Sequence, residues 1–510
     1  MSAPVAAPGK GHNVTIENDV ESHLHPTPSW EIADHPMPTG REEIWRFTPI
    51  KTFIPVLSEV ALEPRQEAGI IDVDVKRADG ITVTDLATSE LKKLAETPQD
   101  RLSALAAADP HAVNRRVVIP AETSLKAPVE VTVAGHNDEI ACHHNVVVEI
   151  GNHAEVTVIV RHRGVAHLGE NWTFRIGDGA QATVLFVQEW DDAAIHGAQV
   201  SFEIGRDATV RTAQASFGGK AVRICQTASY NGPGGNLTQL GAYFADAGQH
   251  IEHRLFVDHN APSTESHVDF RGCLQGKDAH SVWIGDVLIR PVAEDIDTYE
   301  SNKNLVLTEG CRADAVPNLE IQTGNIRGAG HSASTGRFDA EQLFYLQSRG
   351  VEEAEARRLV VHGFFTDIVR KIGVPEISEE LVARIEAELV ESLGSSPLGG
   401  GGLMSVVTTL SALKENSPQE FEVDGIDVVL VRTDGEVFAV GATCTHAEVP
   451  MVDGEVVDCG LECYMHGSFF DLRTGEPRSL PATEPLSVYP VTIDGDNVLV
   501  DVANPITKES

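Results

Sequence analysis

Two short boxes near the C-terminal end combine cysteine and histidine at spacings suited to metal chemistry. Cys444 and His446 are separated by one residue, and Cys463 and His466 are separated by two. A zinc finger of the Cys₂His₂ type keeps its two cysteines together on one turn and its two histidines together on a helix. Here each box supplies one thiolate and one imidazole from a predicted loop. This arrangement favours a two-iron cluster in which one iron takes both thiolates and the other takes both imidazoles.

An all-β segment, residues 405–510, must position these boxes. The run "DVVLVRTDGEVFAV" predicts two strands around an Asp434-Gly435 turn, and "YPVTIDGDNVLVDV" predicts a second pair around Asp494-Gly495. The glycine-rich run "GSSPLGGGG" that precedes the segment predicts a flexible linker over residues 395–404. We therefore expect the boxes to belong to a separate C-terminal domain.

The boxes also carry a family resemblance. "CTH" followed by "CYMHGSFFDLRTGEP" resembles the Rieske ferredoxin family, including the Gly-Ser after the second histidine. The resemblance implies a Rieske [2Fe–2S] cluster as cofactor, with the iron ligands Cys444, His446, Cys463 and His466. Rieske proteins of respiratory chains add a disulfide between the two loops, but Val449 and Met465 occupy those positions here, which favours the soluble, lower-potential type. We expect Cys459 to lie in the β core.

The long segment from residue 116 to 337 repeats a β pattern. "VVVEIGNHAEVTV", "WTFRIGDGAQATV" and "VSFEIGRDATV" place Ile-Gly pairs at Ile150, Ile176 and Ile204, with periods of 26 and 28 residues. One such unit cannot bury its own apolar face, whereas stacked units share a continuous core. The repeat predicts a β-solenoid core over residues 116–337, with a β-sandwich as the second choice.

Three further segments flank this core. Residues 1–40 are rich in Pro, His and acidic residues and are predicted to form a disordered arm, with His23, His25 and His35 solvated. Residues 41–115 have a mixed, partly helical pattern. Residues 338–394 are predicted to be helical, with Asp339 as an N-cap and Gly350 as a stop.

The core and its flanks resemble the SufD family of iron–sulfur cluster assembly scaffolds. The resemblance rests on "REEIWRFTPI", on the repeats and on "CRADAVPNLEIQTGNIRGAGHSASTGRFDAEQLFYLQSRG". It implies a right-handed β-helix with helical ends that pairs with a SufB-like paralogue and a SufC-like ATPase. The sequence contains no G-x-x-x-x-G-K-[ST] motif, so ATP hydrolysis is expected on a partner chain.

The SufD resemblance also points to two candidate assembly residues. His331 matches a family histidine at the SufB interface, and Cys311 falls where the paralogue SufB carries its assembly cysteine. Both residues also have an ordinary interpretation, as a loop histidine and a core cysteine. Core packing is the only role expected for the remaining cysteines, Cys142, Cys225 and Cys273. The box "ACHHN", residues 141–145, resembles a metal site, but no nearby residues in the sequence complete a ligand set.

Charge and composition restrict the classes of function. A net charge of −37 argues against nucleic acid as a partner, and no apolar run approaches the length of a membrane helix. The absence of a signal-peptide core predicts a cytoplasmic protein. We expect a non-catalytic scaffold subunit with a fused electron-transfer domain that draws on a redox donor.

Two alternatives remain open. The first is a Rieske oxygenase, or a ferredoxin component of an oxidoreductase system. Only 44 residues follow His466 and none is histidine, which disfavours the oxygenase. The second is a structural scaffold whose C-terminal metal is a redox-inert zinc.

Overall fold

The chain divides into two compact units, Met1–Ser392 and Leu393–Ser510. The structure is a computed structural model and describes residues 27–63, 70–76, 80–337, 346, 348–349, 351, 353–393, 405–423, 426–433, 435–447, 449–494, 496–502, 505 and 507. None of the described helices is both long and apolar enough to cross a lipid bilayer.

The large unit is dominated by strands. In chain order they are Ile71–Val75 (β1), Thr82–Asp85 (β2), Val113–Ile119 (β3), Val129–Ile150 (β4), Glu155–Ile176 (β5), Gln181–Trp190 (β6), Ile195–Ile204 (β7), Thr209–Gly218 (β8), Ala221–Tyr230 (β9), Asn236–Ala245 (β10), His250–His259 (β11), Glu265–Leu274 (β12), His280–Ile289 (β13), Asp297–Val306 (β14), Arg312–Ile321 (β15) and Gly328–Arg337 (β16). The helices are Ile50–Leu57 (α1), Thr88–Leu94 (α2), Arg101–Ala108 (α3), Glu353–Ile372 (α4) and Pro375–Leu393 (α5).

From β5 onward the strands form a parallel solenoid with two faces. One face runs β5-β7-β9-β11-β13-β15 and the other runs β5-β6-β8-β10-β12-β14-β16, and the long strand β5 belongs to both. The strands on each face pair in parallel with their neighbours one coil away. The predicted mainly β solenoid is therefore confirmed, and the sandwich alternative is wrong.

The repeated Ile-Gly phrases fall in register. Ile150 pairs with Ile176, Ile176 with Ile204, and Ile204 with Tyr230. The alanine that follows each glycine, at positions 154, 180 and 208, is at most 1% exposed. A small residue is suited to this position because the chain turns inward there against the next coil. Further along, the coil lengthens, and Ile289 pairs with Ile321 on the same face.

Two sets of helices pack on the solenoid. Helix α3 begins with a capping box in which Asp100 and Ser103 bond to each other's backbone N–H groups. Its cap residue Asp100 also accepts a hydrogen bond from the buried Arg223 of β9 at 2.8 Å. Helix α4 is held by Lys371, whose Nζ lies 2.8 Å from Asp269 Oδ2 on β12. The cap Asp339 and the stop Gly350 predicted before α4 lie outside the described residues.

The predicted disordered arm needs correction over its described part. His23 and His25 lie outside the described residues, but His35 is 6% exposed and its Nε2 lies 3.0 Å from the carbonyl oxygen of Ser29. The carbonyl of His35 accepts a hydrogen bond from the buried Arg101 of α3 at 2.9 Å. The segment is therefore held on the folded unit at His35, whose carbonyl serves as an oxygen acceptor for the buried guanidinium of Arg101.

The described sheet path of the solenoid ends at β15 and β16. Residues of both strands are half-buried or exposed along their whole length, in contrast to the buried strands that precede them. The outer edge of each strand has no partner among the described strands. This end therefore presents backbone N–H and C=O groups that can pair with another chain.

The small unit contains only short strands. They are Ser405–Thr409 (β17), Gln419–Val423 (β18), Ile426–Thr433 (β19), Glu436–Gly441 (β20), Glu455–Val457 (β21), Gly460–Glu462 (β22), Phe469–Asp471 (β23), Val488–Tyr489 (β24), Val491–Asp494 (β25) and Asn497–Val500 (β26). They form three antiparallel sheets, β17-β26-β25, β18-β19-β20-β24 and β21-β22-β23. Both predicted hairpins are present, as the β19–β20 and β25–β26 pairs.

Candidate metal centre

Two loops of the small unit present the Cys–His boxes. The first loop follows β20 and is closed by a bridge between Thr443 and Pro450. Inside it, the N–H of Cys444 donates to the carbonyl of Val449 at 2.9 Å. The second loop joins β22 to β23, and the N–H of Cys463 donates to the carbonyl of Ser468 at 2.8 Å. Both cysteines are therefore fixed by backbone hydrogen bonds within their own loops.

A third segment, residues 479–484, holds the two loops. Thr445 of the first loop donates its hydroxyl to the carbonyl of Glu484 at 2.8 Å. The buried Ser468 of the second loop accepts from the N–H of Ala482 at 3.0 Å. Sequence reasoning missed this segment, because its polar residues carry no pattern beyond that of an ordinary surface loop.

The donor atoms divide by depth. Cys444 and Cys463 are 3% and 1% exposed, whereas His446 and His466 are exposed to solvent. The two imidazoles lie side by side, with ring centroids 4.8 Å apart at 84°. The loops thus place two sulfur donors inward and two nitrogen donors outward.

The surroundings of Cys444 favour the protonated thiol while no metal is bound. Burial raises the pKa of this thiol, and the backbone N–H groups of His446 and Ala447 oppose that rise by donating to the sulfur. The neighbouring thiol of Cys463 raises the pKa further. Metal binding reverses this preference because the metal displaces the thiol protons. The same N–H groups would then donate to a coordinated sulfur.

The residues fit two metal ions better than one. A single tetrahedral zinc at about 2.0–2.3 Å from each ligand requires all four donor atoms to converge on one point. Among the described residues, the one group of three or more potential ligands whose donor atoms lie within 4.8 Å of one another is elsewhere, at His144, His162 and Glu170. The four donors of the small unit therefore do not converge on a single point.

The other cysteines lie in different surroundings. Cys459 is 8% exposed in the core of the small unit, and Cys142 and Cys273 are each at most 2% exposed in the solenoid. Burial raises the pKa of Cys225 to about 11, so this thiol is protonated at neutral pH. Cys142, Cys273 and Cys459 are therefore buried as expected for core residues, whereas Cys225 is only half-buried.

The two candidate assembly residues lie on different faces of the solenoid. Cys311 precedes β15, and its sulfur lies 3.2 Å from the carbonyl oxygen of Gly276 and 3.5 Å from Thr308 Oγ1. His331 is exposed on β16, opposite Glu300 in the register. Burial raises the pKa of Glu300 to about 8. Cys311 and His331 thus both lie at the open end of the solenoid, which is the end formed by β15 and β16, and they do not form one site.

The box "ACHHN" has neighbours that the sequence did not reveal. His144 lies beside Glu170 and His162 in the solenoid interior, so the expectation that nothing completes a ligand set is wrong. A usable signal was the repeat itself, because Glu170 is the register partner of His144 on the next coil. His143 faces the other way and pairs with Asp109 at 2.8 Å.

A parallel solenoid joined to a two-loop Cys–His unit defines a β-helix protein with a ferredoxin-type domain. The family model "SUF system FeS cluster assembly, SufBD core domain" matches residues 132–364, and the model "Rieske [2Fe-2S] domain" matches residues 404–490. An iron–sulfur cluster assembly SufBD family protein of Mycobacterium bovis is 42% identical over 369 residues, covering 71% of this chain and 91% of that protein. The chain therefore belongs to the SufBD family and carries a Rieske domain at its C-terminal end.

More distant relatives match the two units separately. The iron–sulfur cluster assembly protein SufD of Escherichia coli is 23% identical over 382 residues, covering 69% of this chain and 89% of that protein. The ferredoxin component of biphenyl 2,3-dioxygenase from Rhodococcus jostii is 37% identical over 87 residues, covering 17% of this chain and 81% of that protein. The predicted combination of a SufD-like solenoid with a Rieske-like domain is thus confirmed.

Proposed function

We propose that this chain is a scaffold subunit of an iron–sulfur cluster assembly complex and that its Rieske domain delivers electrons to the assembly reaction. The observation that carries the proposal is the division of donors in the small unit, with two buried thiols below two exposed imidazoles. Because this donor set is fused to an assembly-family solenoid, its natural use is redox chemistry at or near the scaffold. Converting iron and persulfide sulfur into clusters requires reduction.

The small unit would hold a [2Fe–2S] cluster through its two loops. Cys444 and Cys463 would bind the inner iron, and His446 and His466 would bind the outer iron. When bound, the cluster supplies reversible one-electron chemistry, and replacing two thiolates by neutral imidazoles leaves it less negative than an all-cysteine cluster. The loops keep the thiols away from water, and the exposed histidines bring the redox centre to the protein surface.

Exposed apolar side chains occur in the loop that carries His466 and in the segment that supports the two loops. Tyr464 and Met465 lie between the ligands of the second loop and are 56% and 50% exposed, and Leu480 of the supporting segment is 76% exposed. Apolar side chains near exposed ligands favour a small, dry contact with a redox partner. We infer that this surface binds the electron donor and, in turn, the site that receives the electron.

The solenoid would supply the scaffold role. The exposed end strands β15 and β16 offer edges for pairing with a SufB-like paralogue. A SufC-like ATPase would provide ATP hydrolysis, because this chain contains no phosphate-binding loop of its own. His331 and Cys311, both near this end, are the residues proposed to contact iron or a nascent cluster.

The electron-delivery proposal is tested by cutting the linker. A protease site inserted within residues 395–404 allows the two units to be separated after the complex has assembled. A tethered carrier works at an effective concentration of about 1 mM, so cutting should slow cluster formation and excess free small unit should restore it. The readout is the rate at which cluster absorption appears with limiting reductant. Equal rates before and after cutting, at micromolar protein, would contradict the proposal.

Cluster binding itself is tested by anaerobic purification with metal analysis and electron paramagnetic resonance of the reduced sample. The expected result is two irons per small unit, visible colour and a rhombic signal. A colourless protein with one equivalent of zinc that is lost on Cys444→Ser and Cys463→Ser substitution would instead support the structural-scaffold alternative.

A further inference from the structure

A second group of potential metal ligands lies inside the solenoid, far in sequence from the Rieske boxes. Glu170 Oε2 is 2.6 Å from His144 Nε2 and 3.1 Å from His162 Nε2. All three side chains are at most 1% exposed, and their donor atoms lie within 4.8 Å of one another. Two imidazole nitrogens and one carboxylate therefore converge on a single buried point.

The coil geometry creates this convergence. His144 on β4 and Glu170 on β5 are register partners, so their side chains leave neighbouring strands in the same direction. His162 lies on the earlier part of β5, which pairs with β6 on the opposite face. Between the two parts the chain passes Gly164 at φ +78°, where an added Cβ would lie 2.3 Å from the carbonyl oxygen of Gly135. A glycine at this corner thus lets one strand supply ligands from both faces.

His196 has a different role from the other two histidines. Its Nδ1 accepts a hydrogen bond from Trp190 Nε1 at 3.1 Å. The proton of a neutral ring must therefore sit on Nε2, which donates to Glu170 Oε1 at 2.9 Å. His196 thus orients the carboxylate, so that Oε2 lies against His144 while His162 Nε2 lies 3.1 Å from both oxygens. Such a partner is typical of the groups that orient metal ligands.

Hydrogen bonding leaves part of this group unsatisfied. Within the part of the chain that the structure describes, His144 Nδ1 has no hydrogen-bond partner, and His144 Nε2 has one close polar contact, with Glu170 Oε2 at 2.6 Å. His162 Nδ1 is also buried and finds no hydrogen-bond partner among the residues that the structure describes. The surroundings are aromatic, with Trp172, Phe186 and Trp190 packed against the histidine rings. A buried carboxylate in such surroundings needs a positive partner.

We propose that His144, His162 and Glu170 form a mononuclear site for a divalent transition metal. Two imidazoles and one carboxylate are the ligand set of non-haem ferrous sites, so Fe²⁺ is the expected ion. Because solvent does not reach the ligands, the ion is taken up as the chain folds and remains bound. It joins the two faces of the solenoid at the first coils, and this site is independent of the Rieske domain.

The test uses the full chain with the Rieske site disabled. Cys444→Ser together with Cys463→Ser removes the other iron, and cells are grown with ⁵⁷Fe and the protein is purified anaerobically. The expected result is about one divalent metal per chain, with a Mössbauer spectrum of high-spin ferrous iron in nitrogen and oxygen coordination. One equivalent of zinc in place of iron would support the site and correct the identity of the ion. A folded protein without stoichiometric metal would overturn the proposal.

A matched pair of variants locates the metal. In that background, Glu170→Gln should lower the retained metal by about tenfold or more. His253→Gln should leave the metal unchanged, because His253 is an equally buried solenoid histidine that bonds to Ser216 at 3.0 Å. Equal metal in both variants would refute the assignment.

If circular dichroism shows that Glu170→Gln does not fold, His196→Gln decides. It keeps all three ligands and should increase metal loss to a chelator by about 10–100-fold. Unchanged resistance to the chelator would overturn the proposal.

Discussion

The two units place histidine in opposite environments. In the solenoid, the rings of His144 and His162 are fully buried among aromatic side chains, whereas His446 and His466 of the small unit are exposed. Electron transfer slows as the distance between a redox centre and its partner grows, so an exposed centre is better placed for exchange than a buried one. Under the two proposals above, the same residue type would retain an ion in one unit and serve electron exchange in the other, and depth below the surface is the difference between the two settings.

The largest expected effect is loss of the cluster from the small unit alone. Cys463→Ser removes a buried sulfur donor, so visible absorption and the paramagnetic signal should disappear completely. The solenoid should keep its thermal unfolding transition, because the two units are compact separately. Calorimetry and absorption on the same sample check both parts. Loss of the solenoid transition as well would show that the units are not independent.

The next largest effect concerns a buried ion pair of the solenoid. Arg223 lies 2.8 Å from Asp100 and 3.4 Å from Glu252, and its guanidinium stacks on Trp45. Arg223→Met would leave two carboxylates buried without their cation and should destabilise the large unit by about 3–5 kcal/mol. Denaturant unfolding of the full chain measures this change in the transition of the large unit.

The matched variant in the small unit should do almost nothing. Arg473 pairs with Glu436 at 2.7 Å, but both side chains are more than half exposed. Arg473→Met should therefore leave the unfolding transition of the small unit almost unchanged, because solvent screens an exposed ion pair. If both variants lowered the free energy of unfolding by a similar amount, the proposed difference between a buried and an exposed polar network would be wrong.

A pH-dependent effect should arise at the open end of the solenoid. Burial raises the pKa of Glu300 to about 8, so the folded state keeps a proton that the unfolded state releases. Stability should therefore fall as pH rises from the ordinary carboxyl pKa towards about 8, by up to about 1.4 kcal/mol per pH unit. Glu300→Gln should remove this dependence and gain stability over the parent at pH 8, but not at pH 4.

The check is chemical denaturation of parent and variant across that pH range. Identical slopes for the two proteins would show that Glu300 is ionised in the folded state. Asp286→Asn provides the comparison, because burial raises the pKa of Asp286 only to about 6. The pH dependence that Asp286→Asn removes should therefore end at a lower pH than the one that Glu300→Gln removes.

The last predicted effect is kinetic. Met465→Ser should preserve the cluster, because the side chain is exposed and ligates nothing. It should slow electron exchange with a donor by weakening an apolar contact, while Val457→Ser, 41% exposed on β21, provides a control. Stopped-flow reduction at several protein concentrations separates an effect on donor binding from an effect on the rate of electron transfer within the bound complex. Equal slowing by both variants would argue against a contact surface around the histidines.

Much of the fold was predictable because the sequence repeats agree with the pairing of strands in the solenoid. Ile150, Ile176 and Ile204 repeat at the length of one coil, and the structure pairs them in that register. The repeat fades afterwards because Tyr230 takes the next position and the coil lengthens. Two hairpins of the small unit followed equally from their Asp-Gly turns.

The buried ligand group was not predictable in the same way. His144 and Glu170 are one coil apart, but His162 joins them only because β5 crosses between faces at Gly164. Periodicity identifies which residues stack and does not identify which residues meet across the interior. The burial of His35 was missed for a similar reason, because its partner Arg101 is distant in sequence.

The open strand edges at β15 and β16 have a consequence for the cell. A subunit made in excess would expose two strand edges that lack a partner among the described strands, and such edges can pair with further copies of the same chain. Synthesis of the chain in balance with its binding partner would therefore limit aggregation as well as support assembly of the complex.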